Sequence, residues 1–87
     1  MAHSQTARTI LEFLVNDLLY DKDVRNLTPS DPLLESGLLD SLAILRTVAF
    51  CEETYGIRID DADVIPENFE NVGALAALIE RNLANGK

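Results

Sequence analysis

Along the chain, apolar residues recur with the roughly 100° advance of an amphipathic helix in three places. From about Thr6 to Tyr20, Ala7, Ile10, Leu11, Leu14, Val15 and Leu18 fall on one face, with Arg8, Glu12 and Asn16 away from it. Residues 21–40 lose the period. The cluster Thr28, Pro29, Ser30, Asp31 and Pro32 reads as a long loop, of the length that often carries function in small domains. A second helix is expected from Ser41 to about Tyr55, stopped by Gly56, which accepts the left-handed conformation of a C-terminal cap. Ile57 and Ile59 follow, and Asp60 or Asp61 is placed to cap a short turn through Val64 before Pro66. The last helix should start near Asn71 as N-cap and align Val72, Leu75, Ala76, Ile79 and Leu83. The pattern predicts an all-α fold: a small four-helix bundle, three main helices plus one short helix, with a long loop between the first two.

Within this pattern, the stretch ESGLLDSLAIL places Asp40 and Ser41 where an apolar helix begins. The Asp40 carboxylate is positioned to accept free N–H groups of the first turn. Ser41 is then the first helical residue, with its hydroxyl not needed for capping. A capping box led by Ser41 would want Glu or Gln at position 44, where Ile44 stands. Catalysis by Ser41 lacks its partners: the single histidine, His3, lies near the N-terminus, and GLLDS has no glycine pattern of a nucleophile elbow. Attachment of a phosphodiester suits it better, because unpaired N–H groups and the helix dipole favour negative charge at that end. An exposed first-turn serine with no further role is the plain alternative.

Composition narrows the function classes. At 87 residues and 47% hydrophobic positions the chain makes one small domain, residues 1–87 with a core over about 6–84, too small for a deep active site. The net charge is −8, and residues 31–70 carry all of it, with ten acidic side chains against Arg46 and Arg58. Binding to nucleic acid would need clustered Lys and Arg, so a basic protein surface is the natural complement. A single cysteine, Cys51, excludes an internal disulfide and a Cys-rich metal site, and reads as a small buried hydrophobe. The acidic run DDADVIPENFE suggests calcium, but Ile65 and Pro66 break the alternation of oxygen ligands, so no metal is expected. Lys22 and Arg25 beside Asp21 and Asp23 read as a solvated loop. The start MAHSQTARTI has no apolar signal core, and no run reaches membrane-span length, which points to a cytoplasmic protein.

The stretch GLLDSLAILRTVAFCEETYGIRI, followed by DVIPENFENVGALAALI, resembles the acyl and peptidyl carrier proteins that depend on phosphopantetheine. Asp40-Ser41-Leu42 matches the family's Asp-Ser-Leu motif, Tyr55-Gly56-Ile57 its aromatic-Gly-Ile, and Phe69 to Val72 the start of its last helix, over about residues 10–84. The resemblance implies that Ser41, preceded by the motif residue Asp40, receives a 4′-phosphopantetheine arm from coenzyme A through a phosphopantetheinyl transferase. The arm's thiol would then hold an acyl or aminoacyl group as a thioester. An acyl or aminoacyl ligase or transferase would load it and downstream synthase enzymes would use it, the carrier itself being a non-catalytic monomer.

On a helical wheel Ile44, Val48, Cys51 and Tyr55 form one side of the second helix, and Leu42, Leu45 and Ala49 widen the apolar arc beyond a core stripe. Leu42, Leu45, Arg46, Ala49, Glu52 and Glu53 are therefore the expected docking residues. The two glutamates read either as acids for a basic partner or as a solvated edge. Ala43 and Arg46 stand where carriers of primary fatty acid synthesis usually show acidic residues, and Phe50 falls on the otherwise polar side. These departures favour a carrier of polyketide, nonribosomal peptide or related specialised biosynthesis. The alternatives are a general fatty acid synthesis carrier, a noncovalent acidic helical adaptor and, last, an enzyme using Ser41.

Overall fold

In the computed structural model, residues 5–18 and 27–84 are described, and they contain helices and turns but no strand. Helix α1 spans Gln5–Phe13 and runs on into one wide π turn over Leu14–Leu18. Ala7, Ile10 and Leu14 are buried, while Leu11, Val15 and Leu18 are only partly covered, so the core stripe is narrower than the expected face. The expected end at Tyr20 and the charges at residues 21–25 lie outside the described residues.

The described part of the connection is tied to the far end of the molecule. The Leu33 N–H donates to the Glu70 carbonyl at 2.8 Å, and the Gly73 N–H donates to the Pro29 carbonyl at 2.9 Å. Leu33 and Leu39 are buried, and the Leu39 N–H closes back on the Leu33 carbonyl at 3.1 Å. Gly37, at φ 81°, turns the chain between them in a conformation that a Cβ would strain.

Helix α2 spans Ser41–Tyr55, as expected, and Gly56 ends it at φ 65° with its N–H on the Glu52 carbonyl. The side packed inward is Ala43, Thr47 and Cys51, whereas Ile44, Val48 and Tyr55 are half-buried flanks. That corrects the wheel reading by part of a turn. Thr47 is tolerated there because its hydroxyl donates to the Ala43 carbonyl at 2.9 Å. Phe50 is explained by α1: its ring stacks on Phe13 with centroids 4.1 Å apart.

After α2 a 3-10 turn occupies Asp61–Asp63, with Asp60 at its N-cap position but no side-chain cap bond. The expected short helix is present, but as α3 over Pro66–Phe69, just after the stretch through Val64 where the short turn is expected. Pro66 suits its first turn, where no N–H is required, and Phe69 is driven fully inside. Helix α4, Val72–Ala84, starts after Asn71, whose side-chain oxygen accepts the Ala74 N–H at 2.7 Å. Val72, Leu75, Ala76 and Ile79 are buried as the pattern predicts, together with Leu78. Leu83 is 40% exposed, because burial along that face ends one turn earlier.

Candidate functional site

The site is built on the first turn of α2. Asp40, in extended conformation at φ −106°, points its carboxylate back into the helix, and Oδ1 accepts the Ala43 N–H at 2.8 Å. The Asp40 carbonyl accepts the Ile44 N–H at 2.9 Å. These two bonds leave the N–H groups of Ser41 and Leu42 without an acceptor among the described residues. Ser41 itself is exposed, and its hydroxyl has no hydrogen-bond partner among those residues.

A groove of about 600 Å³ opens beside Ser41. It is lined by Leu34 and Leu39 from the loop, Ile44 and Leu45 from α2, and Val64, Ile65 and Pro66 from the approach to α3. The loop residues reach it because the backbone bonds to Glu70 and Gly73 hold that segment down. Volumes of this order are typical of small-molecule sites, although this one is shallow and apolar.

Outward from the core, α2 shows Leu42 at 63% exposure and Leu45 at 61%, with Ala49, Arg46 and Glu53 also exposed. Glu52 differs from its neighbour. It is half-buried, and its carboxylate accepts the Ile59 N–H at 2.8 Å, drawing the segment after Gly56 against the helix. Sequence reading placed Glu52 at the docking edge and missed this bond, which spans seven residues and has no local signal. Ala43, read as a departure on the docking face, is instead buried. Cys51 is fully buried, and desolvation, with the Glu52 carboxylate adding to it, pushes its thiol up to about 12, so it is held as a neutral packing group.

The family described as Phosphopantetheine attachment site matches the chain over residues 9–79. The chain belongs to that family. It is thus a non-catalytic carrier whose prosthetic group is 4′-phosphopantetheine, installed by a phosphopantetheinyl transferase. No curated protein matches the carrier closely enough to count as a relative. Among solved structures, a chain in one titled "Crystal structure of FAD-dependent dehydrogenase" is similar to it at 43% identity and a TM-score of 0.74. That match covers 80% of the carrier and 97% of the other chain. No helix among the carrier's described residues is long and apolar enough to cross a membrane.

The residues around Ser41 fit the prosthetic group. An exposed hydroxyl without a partner, two unpaired N–H groups at a helix start and an apolar groove alongside suit a phosphodiester followed by a flexible arm. When bound, the group supplies a thiol that holds a carboxylic acid as a thioester. The protein supplies placement, and among the described residues no side chain hydrogen-bonds to the Ser41 hydroxyl.

The roles of the two glutamates separate on substitution. Glu52→Ala should strand the buried Ile59 N–H and cost about 1–3 kcal/mol of unfolding free energy. Glu53→Ala, on an exposed side chain, should stay within about 0.5 kcal/mol of wild type. Urea unfolding of both variants measures the difference, and equal losses would mean that the Ile59 bond contributes nothing.

Proposed function

We propose that Ser41 is the attachment residue and that the protein carries an acyl or aminoacyl group between enzymes of a specialised biosynthetic route. The observation behind the first part is the division of labour in the opening turn: Asp40 caps, and Ser41 is left exposed with its hydroxyl unengaged. A transferase can then reach the hydroxyl without unfolding the helix. The remaining docking set, Leu42, Leu45, Arg46, Ala49 and Glu53, lies on the same exposed side of α2. Covering Leu42 and Leu45 in a partner's socket would add roughly 1.5–3 kcal/mol per fully buried side chain, enough for transient handover.

For cargo, the departure at Arg46 and the likeness to a chain from a structure titled for an FAD-dependent dehydrogenase both favour specialised chemistry. A ligase or transferase dedicated to the carrier loads the thiol. Polyketide or nonribosomal peptide enzymes, or a flavoenzyme that removes two hydrogens from the tethered group and reduces FAD to FADH2, then act on it while the thioester persists.

Two measurements test this reading. Asp40→Ala should lose about 1 kcal/mol of stability and still fold, whereas Ser41→Ala should change stability by no more than about 0.5 kcal/mol yet gain no mass with coenzyme A and transferase. Continued modification of Ser41→Ala would move the site elsewhere. Separately, the modified carrier should support little or no chain elongation in a reconstituted fatty acid synthesis system, and efficient elongation there would assign it to general fatty acid synthesis instead.

A further inference from the structure

Helix α2 is apolar nearly all round, and such a helix is normally buried. Here Ala43, Thr47 and Cys51 define the inward side, and the opposite side, centred on Leu42, Leu45 and Ala49, is open. Apolar contact is non-directional, so this strip alone would let a partner lie along the helix in either sense. Along one edge of the strip stand two charges, Arg46 and Glu53. Seven residues separate them, which brings them to nearly the same angle on the helix and about 10 Å apart along its axis.

Fold stability does not explain this order. The helix dipole favours acids in the first turn and bases in the last, yet α2 has no acid in its first turn and no base in its last, where Glu52 and Glu53 stand. Glu52 is accounted for by the Ile59 N–H. Glu53 and Arg46 form no ion pair or hydrogen bond among the described residues. Arg46 is also one of only two bases within residues 31–70, in a chain of net charge −8. Solubility needs no base at that position.

Resting on the carrier reading above, we infer that Arg46 and Glu53 set the direction in which partner enzymes engage α2. The partner carries a carboxylate facing Arg46 and a basic group facing Glu53, about 10 Å further from the Ser41 end. A partner lying the correct way makes both pairs. Turned end for end, it meets like charge at both points, which selects against that pose. Direction matters because the arm leaves from Ser41, at one end of the strip, and a reversed partner would hold its active site at the other end.

The test keeps the apolar strip constant; the double reversal and the neutral pair also keep the net charge of −8, and the double reversal changes only the order of the charges. Arg46→Glu, Glu53→Arg, the double reversal of both and the neutral pair Arg46→Gln with Glu53→Gln are compared with wild type. The readout is the initial rate of arm transfer from coenzyme A by the phosphopantetheinyl transferase of the source organism, followed by intact mass over a range of carrier concentrations. Each single reversal should lower kcat/KM about tenfold, and the double reversal should not recover it, while the neutral pair falls less, because it loses attraction without gaining repulsion. The double reversal should melt no lower than wild type, since it puts a base in the last turn of α2, where the dipole favours one. A double reversal within about twofold of the wild-type rate overturns the inference. Should the double reversal fail to fold, the neutral pair decides, and a rate equal to wild type there also overturns it. A wild-type protein that gains no mass at all removes the carrier reading and this inference together.

Discussion

The Asp40 carboxylate accepting the Ala43 N–H decides at which residue α2 begins, and that boundary decides which side chains face outward. A start one residue later would rotate nothing in space, but it would make Ser41 the cap, its hydroxyl held against the backbone rather than turned to solvent. With Asp40 in that role, Ser41 is helical, exposed and chemically idle within its own protein. In a family whose prosthetic group is added by a separate enzyme, an idle hydroxyl is what the chemistry requires.

Two further restraints give this end of the molecule its shape. The loop is held to α3 and α4 through the Leu33–Glu70 and Gly73–Pro29 backbone bonds, so Leu34 and Leu39 wall the groove beside Ser41. On the other side, the Glu52 carboxylate holds the segment after Gly56 through Ile59. Both restraints are polar bonds between segments, and neither involves the exposed side chains of Leu42, Leu45 or Ala49. The exposed Leu42 and Leu45 on the outward strip of α2 are the apolar surface that the proposed docking uses.

What could be read in advance follows the range of each interaction. The boundaries of α2, the cap by Asp40, the left-handed Gly56 and the cap by Asn71 are local, and residue type alone announces them. Helix α3 has only four residues, less than two turns, and so carries no period. The inward side of α2 is not legible in its pattern because apolar residues surround the helix, so the direction of the core is set by packing against the rest of the chain. The place of Phe50 is set by Phe13, thirty-seven residues earlier in the chain, on which its ring stacks. The Glu52 bond to Ile59 likewise depends on the chain turning back at Gly56, which no single position records.

Fragment mass spectrometry of the wild-type protein, after reaction with coenzyme A and a phosphopantetheinyl transferase, tests the central claim most directly. One phosphopantetheine per chain, with fragment ions placing it on Ser41 and a far-ultraviolet circular dichroism spectrum unchanged from the unmodified protein, is the predicted result. Attachment at another hydroxyl, or attachment to Ser41 only with loss of helix, would contradict an idle serine already presented at the start of α2.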